Sequence, residues 1–229
     1  MISFMADASD YGNYFGELAA NLSDLLDPSW TVCDAGCGIG QLSVALSPYV
    51  KKVVAIDKSA AATDYLRNRV RRDSVGNVEV LTEDFDSLSS DCKFDAMIFN
   101  YFGRVEQILE IAARHCLQRA IVVRKAYSNH RFSFGTYPIE HKLVHPLEGV
   151  EHSKSEFSSE FGQPFRSIGD AVKFFDLYSR DEDPAVINEE NVRSRLVETG
   201  NPEFPYYLSH MKHSNIYVID RGSYGKPLQ

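Results

Sequence analysis

Residues 31–57 read TVCDAGCGIGQLSVALSPYVKKVVAID, and the order of apolar residues and glycines in this stretch decides the fold. Gly36, Gly38 and Gly40 alternate with other residues, which lets the backbone turn tightly and approach a ligand where a Cβ would collide. An apolar run precedes the glycines, and a second apolar run ends on Asp57. The stretch therefore predicts a strand, a glycine loop, a helix and a second strand.

The residues that follow the glycines predict a ligand site at the loop. Leu42, Ala45 and Leu46 recur at helical spacing, so the free amides at the start of this helix face the loop. Residues 53–56 are all apolar and predict a buried parallel strand, whose carboxyl end delivers Asp57 to the same edge. In nucleotide-binding α/β folds an acidic residue at this position accepts hydrogen bonds from ribose hydroxyls. The sequence therefore predicts a nucleotide-binding crevice.

A dinucleotide-dependent oxidoreductase is the first alternative, but its glycine spacing is absent. The Gly-x-Gly-x-x-Gly motif needs a glycine where this chain has Gln41 or Ser43, depending on which glycine starts the motif. The chain instead has an acidic residue followed by Gly-x-Gly-x-Gly, and residues 32–40 closely resemble the first motif of the class I S-adenosylmethionine-dependent methyltransferases. The resemblance covers residues 31–123 well and the remainder in outline.

The resemblance implies S-adenosylmethionine as the cofactor. It places Asp34 and the glycine loop at the methionyl part of the cofactor and Asp57 at both ribose hydroxyls. Two later segments support it, because a cofactor crevice draws on the ends of several strands. Residues 77–85 end on an acidic-aromatic turn, and residues 94–103 form the next strand and its exit. The implied cofactor-binding residues are Asp34, Gly36, Cys37, Gly38, Gly40, Asp57, Lys58, Asp84, Phe85 and Asn100.

The expected fold class is α/β, a Rossmann-like, doubly wound and mostly parallel seven-stranded sheet with the last strand antiparallel. We expect one methyltransferase domain over residues 1–229. Its predicted parts are an N-terminal cap helix (1–30), a cofactor-binding core (31–125), a lid or substrate insertion (126–180), and a C-terminal helix and strand pair (181–229). The strand pair is predicted at residues 206–211 and 215–220, and a helix at residues 168–178.

The acceptor side of the site is less defined by the sequence. Methyl transfer needs mainly alignment of the nucleophile behind the methyl group, because the sulfonium is already an activated electrophile. If the acceptor is a hydroxyl or a protonated amine, a base is also needed, and Tyr101, His130 or a pocket carboxylate could supply it. Tyr11, Tyr14 and Phe102 are the predicted substrate-binding residues, although core packing explains the two tyrosines equally well.

Composition restricts the partners. With 24 Lys and Arg against 32 Asp and Glu, the formal net charge is −8, which gives no general attraction to nucleic acid. The arginines of residues 67–72 predict a solvated helix face rather than a phosphate-binding patch. Small or cationic acceptors are favoured, nucleic acid is disfavoured, no membrane partner is expected, and the oligomeric state stays open.

Cysteine usage and the absence of a long apolar run predict a reducing, cytoplasmic setting. Cys33 and Cys37 are interpreted as small buried residues rather than as a zinc pair, because no second Cys or His pair has ligand spacing. No metal site is expected, since the spacing of the seven histidines does not favour one.

The sequence therefore predicts a methyltransferase that moves a methyl group from S-adenosylmethionine to a small molecule by direct SN2-type transfer, with positioning as the main contribution. Two alternatives stay open: a protein- or RNA-modifying methyltransferase, and a non-catalytic S-adenosylmethionine-binding subunit. The sequence leaves open the acceptor and whether N, O, S or C is methylated.

Overall fold

The structure is a computed structural model that describes residues 2–128, 132, 134, 141–142, 147, 150–179, 181 and 183–223. The chain divides into two compact units. The large unit comprises Phe15–Ala126, Val144–Phe157 and Ser214–Gln229, and the small unit comprises Met1–Tyr14, Tyr127–Leu143 and Ser158–His213. Each unit is described separately below.

The helices and strands are numbered in chain order. The strands are β1 (Thr31–Ala35), β2 (Lys52–Asp57), β3 (Val78–Thr82), β4 (Phe94–Asn100), β5 (Cys116–Lys125), β6 (Tyr127–Ser128), β7 (His141–Lys142), β8 (Ser153–Glu160), β9 (Gln163–Phe165), β10 (Val197–Glu198), β11 (Tyr206–Leu208) and β12 (Met211–Asp220). The helices are α1 (Ile2–Tyr11), α2 (Tyr14–Ser23), α3 (Gln41–Leu46), α4 (Ala60–Arg72), α5 (Val105–His115), α6 (Ile168–Tyr178) and α7 (Glu189–Ser194).

The main sheet has seven strands in the order β3-β2-β1-β4-β5-β12-β8. All pairings from β3 to β5 are parallel, and β12 lies antiparallel beside β5. The order reverses between β1 and β4, the point at which doubly wound sheets open a crevice at the carboxyl ends of their strands. The predicted fold class, including the antiparallel last strand, is confirmed.

The core of the large unit forms because its central strands are apolar on both faces. The side chains of Val53, Ala55, Met97 and Phe99 are buried, as expected of parallel strands covered on both faces. Helix α5 packs the apolar face that includes Ile108 against the same cluster. Burial of such side chains stabilises the fold by roughly 1.5–3 kcal/mol each.

Helix α4 begins at an N-cap, where the Ser59 side chain accepts a hydrogen bond from the backbone N–H of Ala62. Arg67 on this helix donates hydrogen bonds to the Val80 carbonyl and to the Thr82 hydroxyl of β3. It also forms an ion pair with Asp64 at 2.8 Å. This arginine therefore joins helix to sheet rather than lying free on a solvated face.

The N-terminal segment forms two helices instead of the single predicted one. The break at Gly12 and Asn13 separates Tyr11 from Tyr14. Glycine lowers helix stability by about 1 kcal/mol, and asparagine competes for backbone hydrogen bonds, so the pair ends α1 although the apolar spacing continues. The second helix ends at Ser23, within the segment 1–30 predicted to hold the cap helix.

The predicted C-terminal strand pair is wrong. Strand β11 pairs with β9 and β10 in a separate three-stranded sheet, whereas β12 joins the main sheet beside β5. The edge position beside β12 is filled by β8, which lies in the segment predicted to be a lid or substrate insertion. Residues 153–160 read SKSEFSSE and are mostly exposed, so this edge strand lacks the apolar pattern that identifies a buried one.

In the small unit, β9, β10 and β11 form one sheet, and β6 pairs antiparallel with β7 in another. Its core is aromatic and includes Phe165, Phe174 and Phe175. Helix α6 has the predicted bounds and begins at an N-cap, where Ser167 accepts a hydrogen bond from Asp170 N–H. Helix α7 ends at Ser194 within the segment predicted to hold a C-terminal helix, and residues 197–198 pair with β11. None of the helices described for this chain is long and apolar enough to cross a membrane.

Candidate functional site

The glycine loop joins β1 to α3 through three left-handed backbone positions. Gly36, Gly38 and Gly40 have φ values of 71°, 54° and 75°. A Cβ on Gly36 would lie 2.3 Å from the ring of Phe102, and one on Gly40 would lie 2.1 Å from Leu66. At Gly38 no atom lies within 4 Å of the corresponding position. Two glycines are therefore required by packing, whereas Gly38 borders open space.

Hydrogen bonds hold the loop against the end of β2. The backbone N–H groups of Gly36 and Cys37 donate to the Ile56 carbonyl at 2.8 and 3.0 Å. The Asp57 carboxylate accepts from Gly38 N–H through Oδ2 at 2.9 Å and from Ser59 N–H through Oδ1 at 2.8 Å. A carboxylate has about four lone-pair positions, so Asp57 keeps acceptor capacity for a ligand while fixing the loop.

Asp34 lies at the other end of the loop and is buried. Its Oδ2 atom accepts a 2.5 Å hydrogen bond from the hydroxyl of Ser43 on α3. The pKa of Asp34 is raised to about 6, mainly by burial and also by the nearby Asp57 charge, while hydrogen bonds from Ser43 oppose the shift. Asp34 does not line the crevice, so its present contacts fix the start of the loop.

A crevice of about 350 Å³ opens beside the loop, at the carboxyl ends of β2 and β4. This volume lies within the range of small-molecule sites. Asp57, Glu83 and Asp84 contribute negative charge and Lys58 contributes positive charge. The full lining is Gly36, Ile56, Asp57, Lys58, Glu83, Asp84, Phe85, Tyr101, Phe102, Gly103 and Gln107.

Aromatic side chains form part of the crevice lining, and the Phe102 ring packs against Gly36 of the loop. The rings of Phe85 and Phe102 meet edge to face with centroids 5.8 Å apart. Tyr101 has a left-handed φ of 57°, an uncommon conformation for a residue with a side chain. It is held by its N–H, which donates to the Val123 carbonyl at 3.0 Å, and by its hydroxyl, which lies 2.8 Å from Ser214 Oγ. Such strain is concentrated at functional sites.

Several predicted site residues lie elsewhere. Asn100 ends β4 outside the lining, and its Oδ1 atom is buried without a hydrogen-bond partner among the described residues. Cys37 is buried, with its thiol directed at the Gly38 carbonyl. Burial raises the pKa of this thiol, so it is a packed neutral group rather than a nucleophile. His130 lies outside the described residues.

The two predicted substrate tyrosines belong to the small unit. Tyr14 is buried against Phe161, with the Lys212 ammonium 4.5 Å from its ring centroid. Tyr11 packs against Phe204 and Tyr207, at the edge of a cavity that also includes Asp10. Their role in substrate binding stays a prediction.

The sequence analysis missed Gln107 as a lining residue. It lies in the first turn of α5, and this helix follows β4 after a four-residue connection. The only signal available was that a helix N-terminus follows the strand that carries Tyr101. Among the described parts of the chain, no group of three His, Cys, Asp or Glu side chains is placed to hold a metal ion.

The sheet order, the glycine loop and the crevice define a Rossmann-like nucleotide-binding α/β protein. A family model described as a methyltransferase domain matches residues 32–120. This match, together with the Gly-x-Gly-x-Gly loop and the antiparallel last strand, supports the resemblance of residues 31–123 to the class I S-adenosylmethionine-dependent methyltransferases. The resemblance seen in the sequence is confirmed.

Curated relatives match part of the chain. A probable cobalt-precorrin-6B C(15)-methyltransferase (decarboxylating) from Methanococcus maripaludis is 34% identical over 97 residues, which are 42% of this chain and 54% of that protein. Cypemycin N-terminal methyltransferase from a Streptomyces species is 38% identical over 94 residues, 37% of each chain. The chain therefore spans about half or less of the length of these relatives.

Solved structures extend the likeness to most of the chain. The YcgJ protein from Bacillus subtilis aligns with a TM-score of 0.57 at 16% identity, covering 91% of this chain and 99% of that one. Precorrin 8W decarboxylase from Methanobacterium thermoautotrophicum aligns with a TM-score of 0.50 at 17% identity, covering 88% of each chain. These likenesses establish the fold.

Proposed function

We propose that this protein is a methyltransferase that transfers the methyl group of S-adenosylmethionine to a small-molecule acceptor. The observation that carries the proposal is the Asp57–Gly38 hydrogen bond, which holds a left-handed glycine loop open beside a crevice of nucleotide size. The family supplies the cofactor, and the residues present fit it. Open space borders Gly38, and Asp57 keeps lone pairs for ribose hydroxyls.

The cofactor residues fall into three groups under this proposal. The loop residues Gly36, Cys37, Gly38 and Gly40 give the backbone surface for the methionyl part, and Asp34 fixes the start of that loop. Asp57 and Lys58 lie at the ribose. Asp84 accepts a hydrogen bond from the adenine amino group, and Phe85 packs against the adenine ring. Asn100 lies near the methionyl part of the cofactor. Gly36, Asp57, Lys58, Asp84 and Phe85 line the crevice, and the other assignments follow the family resemblance alone.

The bound cofactor supplies an activated methyl group, and the residues of the chain position the acceptor relative to it. Tyr101 is fixed by Ser214 and the Val123 carbonyl at the crevice wall, so it is placed to orient an acceptor or to accept its proton. Phe102 excludes water on the same side. His130 is the second proposed base. The lid role of residues 126–180 is part of the same proposal.

A small molecule is the acceptor class favoured by three observations. The net charge of −8 disfavours nucleic acid, although curated relatives include a probable ribosomal RNA small subunit methyltransferase A from Methanosphaera stadtmanae. Several relatives are named for a methylation of cobalt-precorrin-6B, a small molecule. The volume and the aromatic lining of the crevice also suit a small molecule.

Calorimetric titration of the purified protein with S-adenosylmethionine, S-adenosylhomocysteine and NAD tests the cofactor class. We expect the two sulfur nucleotides to bind and NAD not to bind. Protein with bound methyl-labelled cofactor is then incubated with a metabolite extract, from which macromolecules have been removed by filtration. A labelled small product supports the proposal. Labelling confined to the macromolecular fraction, or NAD binding alone, contradicts it.

A further inference from the structure

Gln107 lines the crevice but has no part in the cofactor contacts proposed above. It is the third residue of α5, and its side chain is exposed at the start of that helix. Within the described part of the chain, its side-chain amide takes part in no hydrogen bond. The amide oxygen and both amide N–H groups are therefore available to a ligand that enters the crevice.

The amide of Gln107 lies against Gly103, a second residue of the lining. A Cβ on Gly103 would lie 2.8 Å from Gln107 Oε1 and 3.5 Å from its Cδ, so the side chain occupies the space that this glycine leaves open. Gly103 has a left-handed φ of 51°, and its carbonyl accepts a 2.7 Å hydrogen bond from Arg124 Nη2. The backbone beneath the amide is therefore fixed.

The neighbours of this amide suit a planar ligand that forms hydrogen bonds. Gly103 follows Phe102, whose ring meets that of Phe85 with centroids 5.8 Å apart. Asp84 precedes Phe85 and lines the same crevice. An ionised carboxylate only accepts hydrogen bonds, whereas a carboxamide both accepts and donates them. The crevice therefore offers aromatic surface, an acceptor and a combined donor and acceptor to one flat ring.

We propose that Gln107 binds the adenine ring of the cofactor, an inference that rests on the proposed function. Its Oε1 atom accepts a hydrogen bond from the adenine amino group, and its Nε2 atom donates one to a ring nitrogen beside that group. A planar carboxamide matches this edge of adenine because the two hydrogen bonds run side by side. The amino group has two N–H bonds, so Asp84 accepts the second one. Gln107 is thus a residue that determines specificity for adenine.

The test compares three ligands that differ in single ring atoms. Calorimetric titration gives the affinities of the wild type and of Gln107→Met for S-adenosylhomocysteine and for its 1-deaza and 7-deaza analogues. Each analogue lacks one of the two ring nitrogens that flank the amino group. Methionine keeps the length and the helix propensity of glutamine but has no amide. Both proteins are titrated in the same buffer.

Gln107→Met should weaken binding of S-adenosylhomocysteine about tenfold, the effect of one or two neutral hydrogen bonds. For the analogue that lacks the bonded nitrogen, the wild type should bind more weakly and the substitution should cost a smaller factor. Such a difference measures coupling between the amide and that nitrogen. Equal factors for all three ligands, or an unchanged affinity for S-adenosylhomocysteine, overturn the proposal.

Gln118→Met is the matched control. It removes the same amide from an exposed position near the start of β5, whereas the crevice lies at the carboxyl ends of the strands. The three affinities should stay at their wild-type values in this variant. An equal loss in both variants overturns the role of Gln107.

Binding by the wild type separates this inference from the proposed function. A wild type that binds none of the three ligands contradicts the proposed function and the role of Gln107 with it. A wild type that binds S-adenosylhomocysteine, together with a Gln107→Met variant that shows no selective loss, overturns the role of Gln107 alone.

Discussion

The Oδ2 atom of Asp57 accepts a 2.9 Å hydrogen bond from the backbone N–H of Gly38. The residues are 19 positions apart, so the contact joins the end of β2 to the middle of the glycine loop. The same carboxylate caps Ser59 N–H at the start of α4. One side chain therefore fixes the loop, the strand end and the helix start that together border the crevice.

Asp57→Ala should weaken S-adenosylmethionine binding by roughly 1.5–3 kcal/mol, because hydrogen bonds to a charged group are lost and the loop is released. Calorimetric titration measures the dissociation constant directly. Asp64→Ala is the control, because this substitution removes the same charge from an exposed position on α4, away from the crevice. An unchanged dissociation constant in Asp57→Ala would remove this residue from the cofactor site.

Gly36→Ala and Gly38→Ala should differ in how much they destabilise the fold. Both introduce a Cβ at a left-handed position, which costs roughly 1–2 kcal/mol. Only the Gly36 variant also meets the Phe102 ring, so it should be the less stable of the two in urea unfolding. Gly38→Ala should stay folded but lose cofactor affinity, and Gly38→Val should abolish it. Normal cofactor binding by folded Gly38→Val would contradict the assignment of the loop.

Asp34→Asn should stabilise the protein relative to the wild type as the pH rises. The folded state holds the Asp34 proton more tightly, because burial raises the pKa of this carboxyl from 3.8 to about 6. The stabilisation that the protonated Asp34 carboxyl gives to the folded state is fully present below pH 3.8 and is lost as the pH rises through 6. At pH 7 the variant should avoid a penalty of up to roughly 3 kcal/mol.

The free energies of unfolding at pH 4 and pH 7 measure this effect for both proteins. Asparagine keeps an oxygen that can accept the Ser43 hydrogen bond, so loss of that contact does not confuse the comparison. A difference between variant and wild type that does not change with pH would show that Asp34 is not desolvated in solution.

Tyr101→Phe and Ser214→Ala should each destabilise the large unit by about 1 kcal/mol, because each removes one side of the 2.8 Å hydrogen bond between the two hydroxyls. In the double variant the two losses should not add, and a double-mutant cycle measures the coupling. If Tyr101 also acts on the acceptor, Tyr101→Phe should slow methyl transfer more than Ser214→Ala does. Simple addition of the two stability losses would show that the hydroxyls do not interact.

Gly162→Ala should destabilise the small unit by roughly 1–3 kcal/mol through overpacking. Its Cβ would lie 2.2 Å from the Tyr207 hydroxyl and 2.4 Å from the Leu208 carbonyl oxygen, and the latter is backbone that cannot rotate away. Gly169→Ala on α6 is the matched control, since its nearest neighbour would lie at an ordinary 3.7 Å. Thermal unfolding of the pair measures the difference. Equal melting temperatures would contradict the packing around Gly162.

The cofactor side of the site was predictable because its signals are local. The alternating glycines and the apolar run that ends on Asp57 lie within 27 residues, and backbone sterics alone restrict what such a sequence can form. The lining residues Asp84, Phe85 and Tyr101 were found for the same reason, since each follows an apolar strand. Gln107 was not found, because its position depends on how α5 packs after β4.

The sequence by itself determined the strand, loop and helix order of residues 31–57 and the placement of acidic residues at strand ends. These follow from local periodicity and from the left-handed conformations that glycine allows. Only the tertiary structure decided that the polar segment 153–160 is an edge strand and that β11 and β12 lie in different sheets. These features depend on pairing between distant segments, and an exposed strand leaves no apolar pattern along the chain.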